Sequence, residues 1–159
     1  CYISVKEMFS FMGVQFLGAI LAALLAAYCF KGEIKVSAAE ISIAPALVGE
    51  FLFTFLLVWV IMNVATAKAN TGNQFYGIAI GFTVIAAIYS VGDISLAVLN
   101  PAVAVALTMA GKLSLGQIWI PIVGSISGSV AAVVIFNHSN PSEKCSTSGE
   151  TSCRPIDDE

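Results

Sequence analysis

Four long, mostly apolar runs govern what this chain can become: about Met8 to Phe30, Ala44 to Ala67, Phe75 to Val91 and Gln117 to Phe136. Each falls within the roughly 17–25 residues that a helix needs to cross the hydrocarbon core of a bilayer. No water reaches the backbone at that depth, so spanning segments must be helices or strands of a closed barrel. Barrel strands alternate apolar and polar residues, and these runs do not. The expected fold is an all-α membrane bundle. Composition agrees, with 58% hydrophobic and only 11% charged residues, against about 25% charged in soluble domains. A net charge of −3 offers no basic surface to nucleic acid.

Loops separate the runs: Lys31 to Ile43 with mixed charges, Lys68 to Gln74, and the central stretch from Gly92 to Gly116. The tail, 137–159, is rich in Ser, Thr, Pro and charge, and has too little apolar surface to fold, so it is expected to be disordered. The four cysteines are scattered with no zinc or redox spacing, and reduced thiols are expected. The chain opens on Cys1, without a signal peptide, and reads as a fragment or a processed product. Alternating the loops across the membrane puts Lys6, Lys68, Lys144 and Arg154 on one side and Lys31, Lys35 and Lys112 on the other. That distribution leans towards a cytoplasmic tail.

The stretch "AVLNPAVAVALTMAG", residues 97–111, is apolar except for Asn100-Pro101 at its centre. Asparagine is a strong helix N-cap, and proline suits the first helical position, where no amide donor is needed. A helix over 101–110 would be roughly 15 Å long, half a bilayer. Two geometries fit: a kinked full span, or an extended descent to the membrane centre followed by a re-entrant half-helix. The second is the expectation adopted. Irregular backbone at that depth must be buried in protein or line a water-filled cavity, and the half-helix would aim its positive end at the midplane.

A gapless offset of 110 aligns "ISVKEMFSFMGVQFLGAILAA" from Ile3 with "LSLGQIWIPIVGSISGSVAAV" from Leu113. The repeating unit would hold three spans with a re-entrant helix before the last, and an odd span count makes the two copies inverted. Residues 44–136 contain one whole unit and residues 1–30 only the last span of another. Glu50, inside the second run, is either a brace for the orphan amides of the re-entrant loop or an interfacial side chain reaching the headgroups. Gln15 is either a similar brace or an interhelical contact. Gly77 and Gly81, and Gly124 and Gly128, are spaced for close helix approach, although glycine is common in such helices anyway. Asn63 and Thr66 read as interfacial. No nucleophile–base pair, metal cluster, phosphate loop or nucleotide motif stands out, so neither an enzyme nor a cofactor is expected.

These residues resemble the aquaporin, or major intrinsic protein, family over nearly all of 3–136. "VQFLGAILAALL" resembles the family's third span, "GEFLFTFLLVWVIMNVAT" its fourth, and "GIAIGFTVIAAIYSVGDISLAVLNPA" its fifth span and second Asn-Pro-Ala loop. The resemblance implies an inverted-repeat hourglass with two half-helices, here incomplete: four spans and one half-helix, with the first half of the pore missing. It also implies a homotetramer with one pore per subunit, in a plasma membrane or an intracellular vesicle or vacuole membrane. Asn100, Pro101 and Ala102 match the second signature, and Glu50 matches the carboxylate that braces the loop. The outer constriction falls on Ile88, Ala97 and Val103. The family usually has arginine at the last of these and many members have histidine at the first, whereas this chain is apolar at all three. The implied activity is passive conduction of water and small neutral solutes through a single-file pore. A glycerol-type facilitator and a non-conducting fragment are the alternatives. An ion-coupled transporter would want ionisable groups at the midplane, and none lies near Asn100.

Overall fold

The computed structural model describes residues 4–29 and 40–141. Five α-helices follow the apolar runs, and their starts are set by local chemistry. Helix α1, Val5–Cys29, opens on a reciprocal cap. The Ser4 amide donates to Glu7 Oε2 at 2.8 Å, and the Glu7 amide donates to Ser4 Oγ at 3.2 Å, each satisfying a donor that the helix start leaves orphaned. This carries the helix one turn earlier than the apolar run alone indicates. Helix α2, Ile43–Ile61, carries Pro45 in its first turn, and α5, Trp119–Ser139, carries Pro121 there, where a missing amide costs nothing. Helix α3 spans Tyr76–Ser95 and α4 spans Pro101–Met109. α2 widens into a π turn over Met62–Thr66. Asn side chains then close the connection to α3. Asn63 Nδ2 donates to the Trp59 carbonyl, Asn70 Nδ2 to that of Asn63, and Asn73 Nδ2 to that of Val64, while Asn73 Oδ1 accepts from the Tyr76 amide. The Asn63 and Val64 carbonyls near the helix end are thus taken up by two side-chain amides that follow, while the Trp59 carbonyl gains the Asn63 side-chain amide besides the Met62 N–H.

Packing fixes the register. α2 and α5 run parallel and in contact along their length. Gln117 is tied to Ile41 by two hydrogen bonds, Nε2 to the carbonyl at 2.9 Å and the Ile41 amide to Oε1 at 3.3 Å. Two turns on, a Cβ built on Gly124 would sit 2.6 Å from Glu50 Cβ and 3.3 Å from the Leu47 carbonyl oxygen. One turn further, a Cβ on Gly128 would collide with the Phe51 carbonyl oxygen. At the far end Trp59 meets Phe136 edge to face at 5.9 Å. Glycine therefore brings these two backbones together, the close approach that replaces hydrophobic association in lipid. The other spaced pair behaves differently, because nothing lies within 4 Å of a Cβ at Gly77 or Gly81.

α3 returns antiparallel to α2, its last turns seated on Gly49, where a Cβ would be 3.3 Å from Val91 Cγ1. The end of α3 and, through Gln117 and Ile41, the start of α5 both lie at the end of the bundle where α2 begins. The segment from Leu96 to Gly116 leaves that end and comes back to it. Its nine-residue helix α4, about 14 Å long at 1.5 Å per residue, does not cross. Ile41, Ala46, Val98, Ala104, Leu113 and Ile120 form the buried cluster that holds it against α2 and α5. α1 packs along α4, and of its residues only Ala23 is buried.

Four helices are long and apolar enough to cross a membrane, with the α2 segment counted through Thr66 and the α5 segment from Leu115. Large apolar side chains cover their outsides, Phe9, Leu21, Ile78, Phe82, Tyr89 and Val134 among them. A soluble monomer seldom exposes contiguous apolar surface on that scale. α5 runs on through His138, which sequence had placed beyond the last span. Cys29 is a free thiol. Of the tail 137–159 expected to be disordered, residues 137–139 continue α5 instead, and 142–159, like the charged segment 30–39, lie outside the described residues.

Candidate pore-lining site

Glu50 is fully buried at the place where α2, α3 and α5 converge. Gly49 admits α3 on one side, against the Val91 and Ser95 side chains, and Gly124 admits α5 on the other, so the carboxylate is closed in between the two helices. It accepts three hydrogen bonds. Oε1 takes the Ser95 hydroxyl at 2.7 Å and the Val98 amide at 2.8 Å, and Oε2 takes the Leu99 amide at 2.7 Å. The Ala97 amide donates to Ser95 Oγ at 3.2 Å. Three consecutive amides, 97 to 99, are thereby gathered on one polar cluster.

The backbone between α3 and α4 is unusual. α3 reaches Ser95 rather than stopping near Val91, and the descent to Asn100 is a tight turn instead of an extended strand. Leu96, Ala97 and Leu99 have φ of 69°, 45° and 54°, the left-handed region that non-glycine residues avoid at a cost of about 1–3 kcal/mol each. Hydrogen bonds to a charged group contribute roughly 1.5–3 kcal/mol each. The two sets are of similar size, so Glu50 and Ser95 are what keep the chain in this shape. The expected extended strand fails for that reason: successive amides must turn towards one buried carboxylate, which an alternating strand cannot do.

A planar trans peptide points its N–H and C=O in opposite directions. With the amides of 97, 98 and 99 aimed at Ser95 and Glu50, the carbonyls of Leu96, Ala97 and Val98 face away from them. Among the described residues no hydrogen bond takes up these three carbonyls. Next comes Asn100, extended at φ −153°, whose Oδ1 accepts from the Ala102 amide at 2.8 Å and caps α4. Only the oxygen of an amide can accept from an N–H, so Nδ2 is the free end, and no hydrogen bond within the described residues occupies it. Pro101 follows at the first helical position and Ala102 is buried against the bundle. The turn thus leaves three carbonyl acceptors and one amide donor without a hydrogen bond among the described residues, next to the N-terminal, positive end of α4.

Of the three positions expected at the constriction, Val103 on α4 and Ile88 on α3 are 40% and 52% exposed, and Ala97 is half-buried in the turn. Gln15 lies exposed on α1, and no hydrogen bond joins it to the turn. Ser95, 1% exposed, went unnoticed in the sequence. It sits in a stretch that reads as loop, and only its contacts with residues 45 positions away mark it out. Gln117 was missed likewise. Among the described residues no group of three His, Cys, Asp or Glu side chains could hold a metal ion.

A family model described as Major intrinsic protein matches residues 1–136 and 62–155. Among similar proteins, "Probable aquaporin NIP4-2" of Arabidopsis thaliana is 34% identical over 133 residues, covering 80% of this chain and 45% of that protein. "Aquaporin NIP1-1" of Oryza sativa subsp. japonica is 33% identical over 135 residues, 83% of this chain and 47% of its own length. "Probable aquaporin AqpM" of Archaeoglobus fulgidus is 32% identical over 146 residues, 84% and 58%. The chain thus spans about half the length of the curated relatives it matches.

Proposed function

Because the chain belongs to the major intrinsic protein family, and is with its four apolar helices an integral membrane protein, we propose that it supplies half of a passive pore for water and other small neutral solutes. The observation that supports this reading is that the Leu96, Ala97 and Val98 carbonyls and the Asn100 side-chain NH2 have no hydrogen-bond partner among the described residues. Irregular backbone at membrane depth must be buried in protein or line a water-filled cavity, and carbonyls without partners suit the cavity. Water both donates and accepts, so it can exchange bulk partners for the carbonyls and then for Nδ2. Asn100 carries no charge, and the positive end of α4 opposes cations there. The opposing half-helix, with its own Asn-Pro-Ala, would come from the part of the relatives' length that this chain does not span, and the exposed apolar faces suit lipid and the neighbours of a homotetramer.

Ile88, Ala97 and Val103 make the constriction apolar. With valine where the family usually has arginine, a small neutral solute meets neither a fixed charge nor a side-chain donor that would favour water over it. We therefore read the pore as permissive for small neutral solutes as well as water. Stopped-flow volume changes of proteoliposomes, with this chain joined to the family's first half, test both points. Water flux should exceed that of protein-free liposomes, and Val103→Arg should lower glycerol flux relative to water flux. No water flux above background refutes the pore. An unchanged glycerol-to-water ratio refutes the role of Val103.

A further inference from the structure

We infer that Ser95 is a positioning residue for the constriction: its hydroxyl, fixed by Glu50, holds the Ala97 amide and so sets where residue 97 stands. The inference rests on the pore reading for its consequence and on geometry for its substance. Ser95 is the last residue of α3 and is 1% exposed. Its single hydroxyl proton goes to Glu50 Oε1 at 2.7 Å, the shorter of two contacts, the other being the Val91 carbonyl at 3.3 Å. That leaves the oxygen lone pairs directed at the Ala97 amide, 3.2 Å away. Leu96, between them, is left-handed at φ 69°, and Ala97 follows at 45°. Neither is a glycine, so the two residues would leave this region if nothing held the second amide.

The work is divided. Glu50 holds Val98 and Leu99 directly, and Ala97 is reached only through Ser95. Losing Glu50 therefore frees the whole turn, whereas losing the Ser95 hydroxyl frees its first part, the part that carries a constriction residue. Gly49 lies beside this contact, where even an added Cβ would be 3.8 Å from Ser95 Oγ, so the hydroxyl's position is set by its hydrogen bonds and not by crowding. Position 97 is thus set by a side chain that itself lines nothing.

The test compares Ser95→Ala, Ser95→Cys and Ser95→Thr in the complete channel. Alanine removes donor and acceptor, cysteine keeps the size with a feeble version of both, and threonine restores the hydroxyl. Amide exchange at Ala97 should quicken about tenfold in the alanine and cysteine variants, the loss expected for one hydrogen bond. Leu99, held by the other carboxylate oxygen, should keep its protection. The glycerol-to-water permeability ratio should shift in the same two variants and return in Ser95→Thr. Unchanged Ala97 exchange in both variants overturns the inference. So does exchange at Leu99 rising as much as at Ala97, since the hydroxyl would then only support Glu50. If the unaltered channel conducts nothing, the pore reading falls, and the exchange data alone decide whether Ser95 positions residue 97.

Discussion

Replacing Glu50 by glutamine asks how much of the turn depends on a single carboxylate. The side chain keeps its shape, so the close seating of Gly49 and Gly124 around it is undisturbed. Its bonding capacity changes. Three donors converge on two carboxylate oxygens, two on Oε1 and one on Oε2. Glutamine offers one oxygen, best spent on the Ser95 hydroxyl and Val98 amide, which turns its NH2 towards the Leu99 amide, donor against donor. A buried donor left unsatisfied costs about 1–3 kcal/mol, and each of the other two bonds weakens by about 1 kcal/mol on losing the charge. The local loss is about 3–5 kcal/mol, comparable to the strain of three left-handed residues at about 1–3 kcal/mol each. The turn should therefore relax while the helices stay formed. Amide exchange read residue by residue should show Val98 and Leu99 opening a hundredfold or more faster, at about tenfold per 1.4 kcal/mol, with residues 51–60 of α2 unaffected. Osmotic water flux should fall with it. If both amides keep their protection in Glu50→Gln, the carboxylate is not what holds the turn, and the outward-facing carbonyls lose their cause.

Three further substitutions separate roles that sequence cannot. Asn100→Asp keeps an acceptor for the Ala102 amide, so α4 stays capped and thermal stability should move by less than about 0.5 kcal/mol. The lost donor should cut water flux about fivefold, as expected for one hydrogen bond of about 1 kcal/mol at the barrier; unchanged flux would mean that Nδ2 does not serve water. Gly128→Ala should destabilise the bundle by about 1–3 kcal/mol by driving a methyl into the α2 backbone, measured by unfolding in detergent. Gly81→Ala, with nothing within 4 Å, should be neutral or stabilise by up to about 1 kcal/mol through helix propensity. Equal effects at the two positions would contradict the α2–α5 register.

The bundle class needs no tertiary information, because length and apolarity alone decide whether a segment can leave water. The same holds for the start of α4: the Asn100 cap is closed by an amide two residues away, a contact that local sequence encodes. The start of α1 at Ser4 and Glu7 was equally local but lay outside a reading based on apolar runs. The Glu50 contacts that fix the turn between α3 and α4, by contrast, are non-local. Gly77–Gly81 and Gly124–Gly128 are the same pattern, yet only the second meets another helix. Gln15 and Glu50 both looked like braces, and only Glu50 is placed where α3 and α5 close over it. Ser95 and Gln117 are ordinary polar residues until partners 45 and 76 positions away arrive. Three residues adopt a backbone that their own side chains disfavour, so no propensity could have announced it. A buried carboxylate that must be satisfied imposed that shape, and burial of a carboxylate is decided by what packs around it.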